Sequence, residues 1–372
     1  MEKIRVMSVF GTRPEAIKMC PLVKALEADE RCESIVCVTA QHREMLDQVL
    51  EVFSVRPDYD LDVMQPRQTL STITTKILTE IEPVLREAKP DIVLVHGDTS
   101  TSFVAALAAF YQQIPVGHVE AGLRTGDRYS PFPEEMNRLL TGRLASLHFA
   151  PTEKNRANLE REHVADPIFV TGNTVLDAFA TTVRESYAYH DSGLRALDLS
   201  GKFLLMTAHR RENLGEPLQN ICRAVLRVVE DFPEIQVVYP VHRNPAVSEP
   251  VHALLGGHPR IHLLDPLDVT DLHNLMAKCF FVLTDSGGLQ EEGPSFGKPV
   301  LVMRTETERP EAVEAGCVEV VGVAEEDIVR AASRLLTDAG YYEGFRRNPN
   351  PYGDGNASRR IVDAVCGWME QK

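Results

Sequence analysis

The sequence lacks the features that mark membrane, secreted or nucleic-acid-binding proteins. Its 372 residues contain no apolar run near the roughly 18 residues that span a bilayer. The N-terminus leads straight into a strand-like segment, so no signal peptide is expected. The formal net charge of −15 argues against general nucleic-acid binding, which requires a basic surface. We therefore expect a cytoplasmic protein that binds neither membranes nor nucleic acids.

Motifs for structural metals and for dinucleotides are also missing. The seven cysteines are scattered without a Cys-x-x-Cys pair, so neither zinc nor a disulfide framework is expected, and no His-x-x-x-His spacing occurs. The first strand-to-helix turn, Gly11–Glu15, lacks the Gly-x-Gly-x-x-Gly fingerprint, although Thr12 and Glu15 have capping-box spacing. Arg13 and Lys18 lie near this helix start and are either solvated or directed at a ligand.

Apolar strands and amphipathic helices alternate along almost the whole chain. One series begins at Ile4–Phe10 and a second at Phe203–Thr207. Such alternation is typical of parallel sheets with helices on both faces. We expect two Rossmann-like, doubly wound α/β domains, residues 1–170 and 171–355. The last helix, 356–372, is expected to pack back on the first domain.

Small, charged and imidazole side chains follow the predicted strands. In open parallel sheets, ligands bind beyond the carboxyl ends of the strands. The segments at these positions are 11–13, 41–42, 96–98, 120–122, 209–211, 242–243 and 285–288. One such segment would mean little, but seven together predict a cleft between the two domains.

Pro115–Arg143 has an unusual density of acidic, basic and imidazole groups for a strand end and loop. Glu120 and Glu134 in this stretch, with Asp98 from the preceding strand end, are candidates for general acid–base catalysis. Asp98 has a second interpretation as the cap of the helix that follows it. Glu135 is expected to be solvated.

Thr284–Glu292 has the composition of a phosphate-binding turn. Its Ser-Gly-Gly would let the backbone approach an anion, and the following helix would offer free N–H groups. Glu292 is placed to accept hydrogen bonds from ribose hydroxyls. His209 and Arg210–Arg211 would add charge-assisted hydrogen bonds to a diphosphate. A plain strand-to-helix turn and a solvated loop are the alternatives.

A series of motifs in order resembles the bacterial non-hydrolysing UDP-N-acetylglucosamine (UDP-GlcNAc) 2-epimerases. The motifs are Phe10–Met19, Thr39–Leu50, Val95–Asp98, Val116–Thr125, Ser130–Arg138, Thr171–Thr174, Ala208–Asn213, Leu283–Glu292, Glu308–Ala312 and Asn350–Gly355. The resemblance implies the two-domain GT-B arrangement, a homodimer and interconversion of UDP-GlcNAc with UDP-N-acetylmannosamine (UDP-ManNAc). It implies elimination of UDP to 2-acetamidoglucal and re-addition without a cofactor, supplying ManNAc units for surface polysaccharide.

The resemblance also implies roles for individual residues. Asp98, Glu120 and Glu134 match the acid/base carboxylates of the family, and His209 matches its essential histidine. The positions that match the nucleotide-sugar site are Arg13, Lys18, Arg138, Arg210, His242, Ser286, Gly287, Gly288, Glu292 and Arg309. Many members are activated by a second UDP-GlcNAc, and Gln41, Arg67 and Gln68 resemble that regulatory site.

Four other activities share parts of this pattern. A 2-epimerase of a related UDP-sugar and a hydrolysing epimerase would use nearly the same residues. A GT-B glycosyltransferase would need an acceptor site, and often a basic or apolar membrane-facing patch, of which the sequence shows no sign. A non-catalytic nucleotide-sugar sensor is expected to lack the full set of carboxylates, which this chain retains.

Overall fold

Each half of the chain is built on one parallel sheet. The computed structural model describes residues 2–40, 43–65 and 68–371, except for the side chain of residue 44. The chain separates into two compact units, Met1–Thr181 with Tyr352–Lys372, and Thr182–Pro351. No helix among the described residues is long and apolar enough to cross a membrane.

The strands and helices alternate as predicted. The strands are β1 (Ile4–Phe10), β2 (Cys32–Val38), β3 (Tyr59–Asp60), β4 (Ile92–His96), β5 (Val116–Val119), β6 (Leu147–Ala150), β7 (Ile168–Val170), β8 (Phe203–Thr207), β9 (Gln236–Pro240), β10 (Ile261–Leu264), β11 (Val282–Thr284), β12 (Val300–Val302) and β13 (Val318–Val320). The helices are α1 (Arg13–Ala28), α2 (Arg43–Val52), α3 (Leu70–Ala88), α4 (Ser100–Tyr111), α5 (Glu134–Leu144), α6 (Glu153–Arg161), α7 (Phe179–Thr182), α8 (Ser192–Arg195), α9 (Glu216–Asp231), α10 (Pro245–Leu255), α11 (Val269–Lys278), α12 (Gly287–Glu292), α13 (Pro310–Glu314), α14 (Glu325–Thr337), α15 (Ala339–Arg347) and α16 (Ala357–Met369). Two 3₁₀ turns, Arg211–Asn213 and Gly293–Phe296, complete the described secondary structure.

Both sheets have the doubly wound strand order. The first runs β3-β2-β1-β4-β5-β6-β7 and the second β10-β9-β8-β11-β12-β13, and the pairings are parallel. The strand order reverses between β1 and β4 in the first sheet and between β8 and β11 in the second. Ligands of doubly wound folds bind beyond the carboxyl ends of the strands at such reversals. The predicted fold class is thereby confirmed at the level of two parallel-sheet α/β units.

The local sequence explains why these strands and helices form. All residues of β4 and β5 are buried, and they form near-continuous apolar runs because helices cover both faces of a parallel sheet. Helix α1 begins at the predicted capping box, in which the Thr12 hydroxyl accepts from Glu15 N and Glu15 accepts from Thr12 N. These caps satisfy backbone donors that would otherwise have no partner at the helix end.

The C-terminal segment returns to the first unit. Asn173 N donates to Tyr352 O over 2.7 Å, and α16 then packs against α1. Gly172 has φ +87°, and a Cβ there would lie 3.1 Å from Tyr352 O. Glycine is therefore required at this crossing both for backbone conformation and for space.

Candidate functional site

Glu120 lies directly beyond β5 in a backbone conformation that non-glycine residues rarely adopt. Its φ is +62°, which is sterically costly for a residue with a Cβ. Its carboxylate is nevertheless well held: Lys18 Nζ contacts Oε1, Asn173 Nδ2 donates to Oε1 over 3.1 Å, and His96 Nε2 lies 3.6 Å from Oε2. The chain therefore accepts backbone strain in order to present a carboxylate fixed by three partners.

Gly97 and His118 shape the loop beside Glu120. A Cβ on Gly97 would approach Glu120 Oε2 to 3.2 Å, and Gly97 has φ +64°. The buried His118 ring contacts Gly97 O through Nε2 at 2.7 Å, and burial lowers the pKa of His118 to about 3. His118 is therefore neutral at ordinary pH and supports the loop.

Asp98 is paired with Arg138 at the carboxyl end of β4. Arg138 Nη2 lies 2.7 Å from Asp98 Oδ2, and Asn137 Nδ2 donates to Asp98 O over 2.9 Å. Burial raises the pKa of Asp98 to about 6, with Arg138 opposing the shift and the charges of Glu120 and Glu134 adding to it. Asp98 is thus poised to exchange a proton near neutral pH.

The alternative interpretation of Asp98 as a helix cap is wrong. Thr99 is the N-cap of α4, and its hydroxyl accepts from Ser102 N over 3.1 Å. The Asp98 side chain is consequently available for the pairing with Arg138. Glu134 lies half-buried in the first turn of α5.

Glu15 does more than cap α1. Its Oε1 accepts from Thr99 Oγ1 over 2.7 Å and from Ser102 Oγ over 3.0 Å, while Oε2 accepts from Gly11 N and Thr12 N. Burial raises the pKa of Glu15, although these hydrogen bonds oppose the shift. The carboxylate ties the loop after β1 to the start of α4, and so positions the segment that carries Asp98.

Glu135 was expected to be solvated, and this expectation is wrong. The residue is 2% exposed. Its carboxylate accepts from Thr125 N and Gly126 N at 3.1–3.2 Å and lies 3.3 Å from Arg138 Nη1. Glu135 thus closes the loop between β5 and α5 and contacts the Arg138 nitrogen that Asp98 does not.

Five of the predicted first-unit residues lie in one group. Lys18, Asp98, Glu120, Glu134 and Arg138 form one connected group through the contacts and charge interactions given above. Arg13 is half-buried at the first position of α1.

The predicted regulatory residues are described only in part. Gln41 and Arg67 lie outside the described residues. Gln68 donates through Nε2 to Val63 O over 2.6 Å, in the segment that precedes α3.

In the second unit, a buried carboxylate organises the loop after β8. Asp285 Oδ2 accepts from His209 N and Arg210 N, both at 2.8 Å, and from Asn213 Nδ2 at 3.0 Å. The His209 ring lies 5.7 Å from the ring of His242, centroid to centroid. Partial burial lowers the pKa of His209, while Asp285 acts in the opposite direction.

The glycines of the predicted phosphate turn leave room for charged side chains. A Cβ on Gly287 would lie 3.3 Å from Arg210 Nη2 and 3.6 Å from Arg309, and one on Gly288 would lie 3.2 Å from Glu292 Oε1. Arg210 and Arg309 therefore converge on the turn. Ser286 is the N-cap residue of α12, and its side chain makes no capping hydrogen bond with the helix among the described residues.

Glu292 and Arg309, which lie beside the predicted phosphate turn, each contact a buried side chain. Glu292 Oε2 lies 3.3 Å from Nε2 of the buried His273, whose Nδ1 contacts Thr182 Oγ1 at 2.7 Å. The Arg309 guanidinium is paired with the buried Glu291 carboxylate. The side chains of Glu292 and Arg309, both predicted to bind the nucleotide, are thus held by buried partners.

Two clusters of possible metal ligands occur among the described residues, and both lie outside the predicted site. They consist of Asp29, Cys32 and Cys366, and of His190, Asp268 and Asp271. Arg31 already donates to both oxygens of Asp29, and Asp271 accepts from His190 N and Asp191 N. These carboxylates therefore have structural partners.

Sequence reasoning missed the residues that act at a distance. The spacing of Glu15 indicates only a cap, Asn173 appears only within the Thr171–Thr174 motif, and His273 has no local signal. Asp285 carried one usable signal, since it directly follows a buried strand and precedes Ser-Gly-Gly.

Comparisons with known proteins identify the family of the chain. A family model described as UDP-N-acetylglucosamine 2-epimerase matches residues 24–366. The Bacillus subtilis UDP-N-acetylglucosamine 2-epimerase is 57% identical over 368 residues, which cover 98% of this chain and 96% of the relative.

Solved structures are similar over nearly the whole chain. One is the structure of UDP-GlcNAc 2-epimerase from Neisseria meningitidis bound to UDP-GlcNAc, with a TM-score of 0.90 and 48% identity. The alignment covers 97% of this chain and 99% of the Neisseria chain. The S. aureus MnaA–UDP co-structure has a TM-score of 0.89 and 53% identity, covering 99% and 97%. The calicheamicin glycosyltransferase CalG4, at 16% identity and a TM-score of 0.60 with 100% and 99% coverage, shares the fold alone.

Proposed function

The chain belongs to the UDP-N-acetylglucosamine 2-epimerase family, and from this premise we propose that it interconverts UDP-GlcNAc and UDP-ManNAc without net hydrolysis. In the proposed reaction the C2–H and C1–O bonds break, giving 2-acetamidoglucal and UDP. A proton then adds to C2 on the opposite face, and UDP adds back to C1. The carrying observation is the group formed by Asp98 and Glu120 at the carboxyl ends of β4 and β5 and by Glu134 in the first turn of α5, held with Lys18 and Arg138.

The second-unit residues would bind the leaving group. A diphosphate develops negative charge as the C1–O bond breaks, and donors already in place stabilise that charge without reorganising. Arg210 and Arg309 converge on the Ser286–Gly288 turn, and His209 adds a group that can donate a proton. Glu292 would accept hydrogen bonds from the ribose hydroxyls.

The first-unit carboxylates would move the proton at C2. One ionised carboxylate is needed to remove it, and one protonated acid is needed to return it on the other face. Burial raises the pKa of Asp98 to about 6, so both of its forms are accessible near neutral pH. Glu120, fixed by Lys18 and Asn173, would be a second carboxylate that acts on the reacting carbon.

The experiment uses UDP-GlcNAc in deuterated water with proton NMR detection. We expect UDP-ManNAc that carries deuterium at C2, with matching exchange into UDP-GlcNAc. The proposal would be excluded if neither deuterium exchange nor the epimer were detected. Accumulation of free ManNAc with UDP would identify a hydrolysing enzyme.

A matched pair of variants connects the activity to the site. Glu120→Gln is expected to lower kcat by about 10²–10⁴-fold, the typical value of an acid–base group, with UDP affinity nearly unchanged. Glu51→Gln changes an exposed carboxylate on α2 and is expected to retain full activity. Equal turnover in both variants would remove Glu120 from the catalytic group.

We further propose that the protein is a homodimer that supplies ManNAc units for surface polysaccharide, and that a second UDP-GlcNAc activates it near Gln41, Arg67 and Gln68. The same assay addresses the activation when it is run over a range of UDP-GlcNAc concentrations. A sigmoidal rate curve supports a second bound substrate, and a simple hyperbola contradicts it.

A further inference from the structure

One oxygen of the Asp285 carboxylate has no hydrogen-bond partner in the part of the chain that the structure describes. Asp285 is fully buried, and three donors, His209 N, Arg210 N and Asn213 Nδ2, all bind its Oδ2. Its Oδ1 is buried without a hydrogen bond among the described residues and lies 4.0 Å from Nδ1 of the His209 ring. Buried carboxylate oxygens in native proteins normally have partners. The nearby imidazole is a group that could provide one after a small ring rotation.

We propose that Asp285 is a positioning residue that sets the tautomer and charge of His209. With Nδ1–H directed at Asp285 Oδ1, the His209 ring presents Nε2 to the substrate. The same carboxylate stabilises the imidazolium when Nε2 carries a proton for the leaving diphosphate. This inference rests on the proposed function, in which His209 faces that diphosphate.

The charges around His209 support this assignment. Partial burial, Arg210 and His242 each disfavour the imidazolium, and Asp285 is the carboxylate that favours it. Loss of this negative group would therefore lower the pKa of His209 further and disfavour the imidazolium. A carboxylate that orients a catalytic histidine in this way acts through the ring and does not touch the substrate.

The donors on Oδ2 make Asp285→Asn an unusually specific probe. Two backbone N–H groups and one amide N–H require an acceptor at that position, so the carbonyl oxygen of the introduced asparagine would occupy it. The amide nitrogen would then take the place of Oδ1 and donate toward His209 Nδ1. Because Nδ1 must then accept, the proton moves to Nε2. The substitution therefore preserves the loop and reverses the tautomer.

The experiment combines ring ¹⁵N NMR of histidine-labelled protein with kinetics, using His209→Gln to assign the signals. We expect the Nδ1–H tautomer of His209 in the parent protein and the Nε2–H tautomer in Asp285→Asn. The variant should lose at least about tenfold in kcat, shift the alkaline limb of its pH–rate profile to lower pH because His209 must be protonated to act as an acid, and change the KM for UDP-GlcNAc less than threefold. Asp198→Asn, which alters an acceptor of Ser200 N in the same unit, should leave tautomer and kcat unchanged.

The outcomes separate this inference from the proposed function. An Nε2–H tautomer in the parent protein overturns the inference, and this measurement does not depend on the variant being folded. A folded Asp285→Asn protein with the parent tautomer and kcat also overturns it. Absence of epimerase activity in the parent overturns the proposed function, whatever the tautomer of His209.

Discussion

At the scale of single residues, opposing neighbours set the properties of Asp98. Burial raises its pKa to about 6 even though the Arg138 guanidinium lies 2.7 Å from its carboxylate. Arg138 contacts both Asp98 and the buried Glu135. Its positive charge therefore stabilises the ionised form of each carboxylate less than it would stabilise a single partner. The native protein thus keeps an ionised Asp98 at neutral pH at a cost in stability.

Asp98→Asn is therefore expected to be more stable and less active. Because the pKa of the folded state is raised above the ordinary value of 3.8, folded Asp98 binds a proton more tightly than unfolded Asp98 does. The contribution of Asp98 to the stability of the parent falls as the pH rises from about 4 to about 6, and this loss is complete above that window. Asparagine resembles the neutral acid, so the variant should gain about 1–2 kcal/mol at pH 7.5 and no more than a few tenths near pH 4.

Urea unfolding at the two pH values, together with the deuterium-exchange assay, measures both effects of this change. Lower stability than the parent at pH 7.5 would show that the ion pair with Arg138 outweighs the burial of Asp98. Undiminished turnover would remove Asp98 from the catalytic group.

At the scale of secondary structure, the last helix is capped by a residue far away in the chain. Asn356, the N-cap of α16, makes no capping bond with its side chain. Asp177 accepts instead from Ala357 N over 3.2 Å and from Ser358 N over 2.7 Å. Arg31 and Asp363 form a more exposed ion pair farther along the same helix, at 2.7 Å. The cap and the ion pair are two separate anchors of α16.

The two anchors should differ in strength. Asp177→Ala is expected to lower the unfolding free energy by about 1–2 kcal/mol, as the loss of an N-cap does. Asp363→Ala should cost less than about 0.5 kcal/mol, because exposed ion pairs are screened. Urea unfolding gives both values, and hydrogen exchange of the first-turn amides of α16 should accelerate only in Asp177→Ala. Equal losses would contradict the capping role.

At the scale of the whole molecule, three buried histidines make the first unit sensitive to acid. His96, His118 and His148 lie on adjacent strands β4, β5 and β6. Burial lowers their pKa values to about 4, about 3 and about 4, against an ordinary value of 6.5. His148 has no hydrogen bond at either ring nitrogen among the described residues. Protonation of these rings is therefore far more favourable in the unfolded chain.

The unfolding free energy of this unit is expected to be constant above about pH 7 and to fall steeply between pH 6.5 and 4. A depressed pKa in the folded state means that the unfolded state binds more protons in that window. The loss should be on the order of several kcal/mol, since each shifted pKa unit corresponds to about 1.4 kcal/mol. Trp368, the single tryptophan, lies on α16, so its fluorescence follows the unfolding of this unit.

A pair of histidine variants tests whether the buried histidines cause the loss of stability in acid. His148→Phe should make the loss between pH 6.5 and 4 shallower, because one titrating ring is removed. His163→Asn changes a histidine outside the core, with φ +58°, a conformation that asparagine tolerates, and should leave the pH dependence unchanged. An unaltered slope in His148→Phe would exclude this ring as a source of the acid sensitivity.

The fold class and most residues of the candidate site could be predicted from sequence because both depend on local order. Alternating apolar strands and helices imply parallel sheets, and a parallel sheet brings the carboxyl ends of its strands to one edge. The segments that carry Asp98, Glu120, His209 and Ser286 could therefore be identified without coordinates. The capping box at Thr12 has the same local origin.

The partners of these residues depend on contacts between distant segments, which no local pattern encodes. Glu15 binds Thr99, 84 residues away, and Asp285 binds His209 N, 76 residues away. Glu135 seemed by its charge to belong on the surface, yet it is buried because the backbone of the β5–α5 loop needs its carboxylate. Residue types and strand ends thus indicate which segments carry the candidate site. Tertiary packing determines which of their side chains are buried and paired, and burial and pairing determine which carboxylates are ionised.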